Sequence, residues 1–267
     1  MSKVWIEGVG LRAPGLNGWE ASRAILRGEQ QLPADAPLEL PAIASLPANE
    51  RRRLVPAVRL ALVVGLEAFE HARRAPAETP TIFAASGGDG ETIDNIMMTL
   101  AANEFEVSPT RFHNSVHNAP AGYWGIATRS RAPSSSLCAH DASFAAGLIE
   151  AVAQCLVDHT AVGLVADDLP YPGPLHAKRP IGSAFGVALV LTDAPTANTR
   201  ASIEVSIDRA FSVPTAMADP ALEVLRRGNP AARSLPLLAA LACGEDRTVS
   251  LDYTSDRTLT VAIADSM

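Results

Sequence analysis

Along this chain of 267 residues the hydrophobic pattern changes period repeatedly, short apolar runs alternating with longer stretches of helical spacing. Residues 4–9 (VWIEGV), 81–85 (TIFAA), 160–166 (TAVGLVA), 185–191 (FGVALVL) and 203–207 (IEVSI) read as buried strands, since continuous apolar runs of this length suit strands covered on both faces. Residues 18–26 read as a short helix. Residues 54–72 read as a strong one, with Val58, Leu62, Leu66 and Phe69 at three- and four-residue spacing. A glycine corner, SGGDG, follows the second strand and leads into a helix carrying Ile93, Ile96, Met97 and Leu100. After Pro214 the pattern is interrupted by Pro220, Gly228, Pro230 and Pro236, before a strand-like pair at 249–253 and 258–263. This order predicts layered α/β architecture rather than a bundle or a sandwich.

Composition narrows the function classes. A chain 48% hydrophobic is long enough to bury a substantial core, and its net charge of −7 gives no footprint for a nucleic-acid backbone. The one basic cluster, Arg51, Arg52 and Arg53, is short and reads as a solvated helix face. Cys138, Cys155 and Cys243 have no CxxC spacing and cannot all pair, which suits a reducing compartment. MSKVWIEGVG has no signal-peptide pattern, and no run reaches the roughly 20 apolar residues that span a bilayer. A cytoplasmic protein without a membrane span is expected.

Most candidate chemistry has a plain structural explanation. The glycines of SGGDGE between strand and helix can cradle a phosphate, but neither GxGxxG nor GK[ST] is present, so they read as turn residues. His113 and His117 are four apart, yet Pro120 follows and no acidic residue or cysteine completes a shell; no metal site and no cofactor is expected. Asp167 and Asp168 end a strand, where paired carboxylates can do acid/base work or simply begin a loop. Ser134, Ser135 and Ser136 lack a GxSxG context and are poor nucleophiles.

The stretch 133–151, PSSSLCAHDASFAAGLIEA, reads as an apolar strand turning sharply into a buried small-residue helix, the architecture of a nucleophile elbow. The corner carries His140 and Asp141. Cys138 lies upstream, where it reads as a small buried filler, and Asp141 is explained as a cap on the following helix, worth ~1 kcal/mol.

The order of segments resembles the β-ketoacyl synthases of the thiolase superfamily over roughly the first 195 residues. VWIEGVGLRAPGLNGWEASRAILRGE is similar to the opening strand, turn and helix, LALVVGLEAFEHA to the next helix, and TIFAASGGDGE to the second strand with its glycine corner. FHNSVHNAPAGYWGIATRSRAPSSSL resembles the segment before the nucleophile strand; AVGLVADD and RPIGSAFGVALVLTD resemble two later strands. The resemblance implies a thiolase-like layered α/β fold. It implies one complete half at 1–195, with a buried central helix and a mixed sheet, and a reduced C-terminal segment, 196–267, packed on the same core. Aligned without gaps, the family's nucleophilic cysteine falls on Asp141, which cannot form an acyl-thioester. The six histidines all lie at or before His176, so the histidines that the family's second half brings to decarboxylation have no counterpart.

HNSVHNAPAGYW and DASFAAGLIEA resemble most closely the small ketosynthase-like subunits of aryl-polyene and xanthomonadin-type pigment clusters, inactive chain-length factors that pair with an active ketosynthase. That implies a full-length ketosynthase partner, acyl carrier protein reached through the complex, and no catalytic residue in the elbow. Asn114, Asn118, Gly122, Tyr123, Trp124 and Phe144 would line the partner interface and acyl tunnel, with Tyr123 and Trp124 as anchors; core positions for both aromatics are the alternative. Two other readings stand beside it: a self-sufficient acyltransferase or thioesterase acting on carrier-bound thioesters through Cys138 or the His140–Asp141 pair, and a non-catalytic homodimer.

Overall fold

The computed structural model describes residues 2–102 and 106–265. The chain opens with β1 (Ser2–Ala13), β2 (Leu16–Asn17), α1 (Trp19–Leu26), α2 (Ala48–Arg51) and α3 (Pro56–Ala72). β3 (Thr81–Ala84), α4 (Gly90–Ala101), α5 (Pro109–Asn114), α6 (Ala119–Thr128), β4 (Ser134–Leu137) and α7 (Ser143–Asp158) follow. Then come β5 (Val162–Asp168), α8 (Gly173–Lys178), β6 (Phe185–Thr192), β7 (Ala201–Ile207), α9 (Pro220–Gly228), α10 (Leu235–Cys243), β8 (Arg247–Asp252) and β9 (Thr258–Asp265). Every strand and helix expected from periodicity is present.

The strands form a nine-stranded mixed sheet in the order β4-β3-β5-β6-β1-β7-β9-β8, with β2 hairpinned onto β1. β4, β3 and β5 are parallel and the remaining pairs antiparallel. The side chains of β3, β5 and β6 are buried throughout, as runs without polar alternation require. α3 covers one face with Leu60, Val64, Ala68 and Phe69 against Phe83, Val165, Ala188 and Val190. α7 and α10 cover the other with Phe144, Leu148, Leu235 and Leu238 against Ile82, Leu164, Leu189 and Ile203. α3 lies so close to β1 that a Cβ at Gly8 or Gly10 would overlap the carbonyl oxygens of Ala68 and Val64. A buried ion pair, Glu7–Arg74, with Thr196 donating to the same carboxylate, fastens the end of α3 to β1.

The sheet continues through residue 195 without a break: β7 pairs with five residues of β1 on one side and with β9 on the other. The C-terminal segment is more regular than its prolines suggested. Pro220 and Pro236 each occupy the first turn of a helix, where a missing N–H costs nothing.

Candidate functional site

The elbow is present in altered form. β4 is an edge strand, not an interior apolar one, with Ser134 and Ser135 exposed. It leads through Cys138 and Ala139 into a 3₁₀ turn, His140–Ala142, and from there into α7. His140 takes the sharpest position in the corner, with φ 54° in the left-handed region, which side chains other than glycine adopt sparingly.

Asp141 does not cap α7. Ala142 occupies that position without a side-chain cap bond, and the corner is closed instead by the Ser143 hydroxyl, which accepts from the Ala139 N–H at 3.0 Å and donates to the His140 carbonyl at 2.7 Å. The Asp141 carboxylate is turned away into a clamp of two guanidiniums: Arg179 donates to Oδ1 at 2.9 Å and Arg233 to Oδ2 at 3.0 Å. Burial works to raise its pKa, but the Arg179 hydrogen bond and the charges of Arg233 and Arg179 outweigh that and hold the carboxyl below the usual range. Arg179 also reaches His140 Nε2 at 2.7 Å. Since that nitrogen accepts, the imidazole proton is on Nδ1, 3.5 Å from Asp141 Oδ1. A carboxylate so paired is a poor base, and a half-exposed one is a poor place to hold an acyl group.

Cys138 is exposed rather than a buried filler, because the strand that carries it lies at the sheet edge; its thiol donates to the Ser86 carbonyl at 3.2 Å. Behind it, the glycine corner is structural. Asp89 caps α4 by accepting from the Thr92 N–H at 2.9 Å, and the Tyr171 ring occupies the space beside Gly87 and Gly90 where a phosphate would sit. Asp167 and Asp168 belong to β5 rather than to a loop, both 5% exposed. Asp168 Oδ1 accepts from the Ser86 N–H at 2.8 Å and hydroxyl at 2.5 Å, a strut between β5 and the glycine corner. Burial, then the neighbouring Asp168 and Asp89, push Asp167 well up; burial raises Asp168 to about 6 despite the Ser86 bonds.

The residues expected at a partner interface divide. Asn118 and Gly122 are exposed. Tyr123 and Trp124 are 1% and 2% exposed, in the core of this chain, with the Trp124 ring 5.3 Å from Phe69 and 6.1 Å from Phe83. Phe144 packs under the sheet from α7, and Asn114 is buried with its amide donating to the Arg53 carbonyl at 2.9 Å. Those four are buried within this chain, so none of them presents an exposed anchor to a partner. His113 is in α5 and His117 in the turn that follows it, with His113 edge-on against Tyr123. Sequence reasoning missed Arg179 and Arg233, the groups that define the site; they lie 38 and 92 residues beyond Asp141, and only the folded chain brings them to it.

No helix among the described residues is long and apolar enough to cross a membrane. Comparison with solved structures finds the ketosynthase ApeO in complex with its chain length factor ApeC from Xenorhabdus doucetiae, at TM-score 0.74 and 25% identity, over 97% of this chain and 99% of the matched one. The ishigamide ketosynthase/chain length factor matches at TM-score 0.73 and 14% identity over 100% of both chains. AntDE:AntF, a type II polyketide acyl-carrier protein in complex with its ketosynthase, matches at TM-score 0.76 and 12% identity over 99% of both. Among curated proteins none matches by sequence. The family model described as beta-ketoacyl synthase, N-terminal domain, matches residues 21–247, and with most of its length so matched this chain belongs to the β-ketoacyl synthase N-terminal domain family.

Proposed function

We propose that this chain is a non-catalytic subunit of the chain-length-factor type, pairing with an active β-ketoacyl synthase in type II fatty-acid or polyketide elongation of the aryl-polyene kind. The observation that carries the reading is Asp141: at the position that aligns with the family's cysteine it offers a carboxylate already engaged by Arg179 and Arg233. Acyl carrier protein is reached through the complex.

The surface beside the elbow suits a partner. β4 has a neighbour on one side only. Its Pro133 and Leu137 carbonyls accept from β3, at 3.1 and 3.2 Å, so the backbone groups of Ser134 and Ser136 point to the free edge, a template for another strand. On the adjoining helices α4 and α5, Met97 and Met98 are 61% and 56% exposed and Phe112 69%, an apolar surface of the sort that marks an interface.

Co-expression with a full-length ketosynthase tests this. A stable complex with elongation activity is expected, and Ser136→Pro, which removes one outward N–H without touching the β3 ladder, should abolish co-purification while leaving the melting temperature within a few degrees. A ketosynthase that neither pairs with the chain nor needs it sinks the reading. Exposure of Cys138 favours one alternative, a self-sufficient acyltransferase. Incubation with carrier-bound thioesters followed by mass spectrometry decides it, since acylated Cys138 would overturn the non-catalytic assignment.

A further inference from the structure

Behind the elbow, two complementary groups are left unpaired. Among the described residues, Asp168 Oδ2 and Arg179 Nε are both buried without a hydrogen-bond partner, a state that native structures keep rare. One is an acceptor on a carboxyl, the other a donor on a guanidinium. Asp168 gives its Oδ1 to the Ser86 N–H and hydroxyl, and the charge of Arg179 already acts on it. Arg179 itself is engaged on the outer side, donating to Asp141 Oδ1 at 2.9 Å and to His140 Nε2 at 2.7 Å. A single guanidinium therefore serves an outer carboxylate that holds it and an inner carboxyl that does not.

The outer seat is the easier one to give up. Asp141 keeps Arg233 at 3.0 Å whether or not Arg179 stays. Lys178, Arg227 and Arg233 line the same hollow, so the outer seat gathers like charges. Arg179 also ends α8, a six-residue helix whose side chains are all exposed, so no core packing resists a shift of its end.

We propose that Arg179 is a two-position switch, leaving Asp141 and His140 for an inner seat on Asp168 where Nε and Oδ2 satisfy each other. The move frees the imidazole at the corner, whose other near polar group is the Asp141 carboxylate at 3.5 Å. Ionisation of Asp168 is the trigger. Burial, opposed by the Ser86 bonds and the Arg179 charge, raises its pKa to about 6, so the carboxyl is neutral below that pH and draws the guanidinium inward above it. Ser86, the Ala231 N–H and Arg179 face the inner seat; Asp141, His140, Tyr171 and Arg233 face the outer one. Asp167 points to the opposite side of the sheet. The switch belongs to this chain and stands whether or not it pairs with a ketosynthase.

Arginine-selective ¹⁵N labelling of the full chain reads the seat through the Arg179 Nε–Hε signal, assigned with Arg179→Lys. A shift of that signal with a midpoint near pH 6 is expected. Asp168→Asn should abolish it, since the amide cannot ionise yet still accepts from Ser86. Histidine is the side chain whose charge ordinarily changes near neutrality, so His140→Asn, which tolerates the left-handed corner, serves as the control and should keep a midpoint. Asp141→Asn, at a half-exposed position, removes the outer charge and should lower the midpoint by roughly one pH unit. A signal indifferent to pH between about 5 and 7.5 overturns the proposal, as does a midpoint that survives in Asp168→Asn or vanishes in His140→Asn. If Asp168→Asn does not fold, Asp141→Asn decides: a midpoint that stays or rises overturns the switch.

Discussion

At the scale of single residues, Asp141 and Trp124 show how position decides meaning. The Asp141 carboxylate is held by charge-assisted bonds, but its side chain is 39% exposed, so water takes a large share of what those bonds are worth. Asp141→Ala is expected to cost only about 1 kcal/mol, lowering the melting temperature by roughly 2–4 °C, and to leave pairing with a ketosynthase intact. A loss of elongation by such a paired complex would give Asp141 a chemical role that its clamp argues against. Trp124 is the opposite case. Its indole lies between Phe69 and Phe83 and against Gly65, so Trp124→Ala leaves a cavity no neighbour can fill, costing about 3–5 kcal/mol. Aggregation of that variant on its own, measured by light scattering, is the expected result; a folded, soluble variant would place the ring outside the core after all.

At the scale of elements, the contact between β1 and α3 is the tightest in the fold, since backbone meets backbone at Gly8 and Gly10. Either glycine replaced by alanine forces the helix off the strand, and no side chain is present to yield. Gly10→Ala is therefore expected to lose most of its soluble folded protein on expression, whereas Gly122→Ala on the exposed part of α6, where an added Cβ meets nothing, should express as well as the parent. The elements themselves were legible because their periods are clean: the apolar runs of β5 and β6, short and rich in valine and leucine, suit buried strands, and the spacing of Val58, Leu62, Leu66 and Phe69 suits a helix. α9 and α10 were not, because Pro220 and Pro236 look like breakers until each is seen in a first turn. The site was legible only in part. A strand, a corner and a helix could be read from 133–151, but an edge strand looks the same in sequence as an interior one when its residues are serines. The partners of Asp141 are distant in sequence, Arg179 at the end of α8 and Arg233 in a 3₁₀ turn, and neither lies in a motif.

At the scale of the whole molecule, two opposed sets of carboxylates govern the response to pH. A chain of ion pairs ties the C-terminal segment to the elbow: Glu223 to Arg226 at 2.8 Å, Arg226 to Asp252 at 2.8 Å, Asp252 to Arg233 at 3.5 Å, and Arg233 to Asp141 at 3.0 Å. The Arg226 hydrogen bond lowers Glu223 from 4.5 to about 2, and Asp141 is lowered as well. A depressed carboxylate contributes stability that is complete above its unfolded pKa and is lost as pH falls through its folded one, so this set fails between about 4.5 and 2. Asp167 and Asp168 act with the opposite sign. Both are raised, Asp168 from 3.8 to about 6, so they are neutral in their effect only while the unfolded chain is protonated too, and they oppose folding increasingly as pH rises above about 4. The two sets together place maximal stability well on the acid side of neutrality, near pH 4–4.5, above the range in which the ion pairs are lost and below that in which the unfolded chain releases the protons that folded Asp167 and Asp168 keep. Melting curves across pH 2–8 check the position of that maximum. Asp167→Asn separates the sets: it should raise the melting temperature by several degrees at pH 7.5 and by progressively less toward pH 4, because the amide carries no charge to bury and wild-type Asp167 carries none at the acid end. A gain that does not change with pH would mean that packing rather than ionisation sets the cost of Asp167, and the buried pair would then have no part in the acid preference.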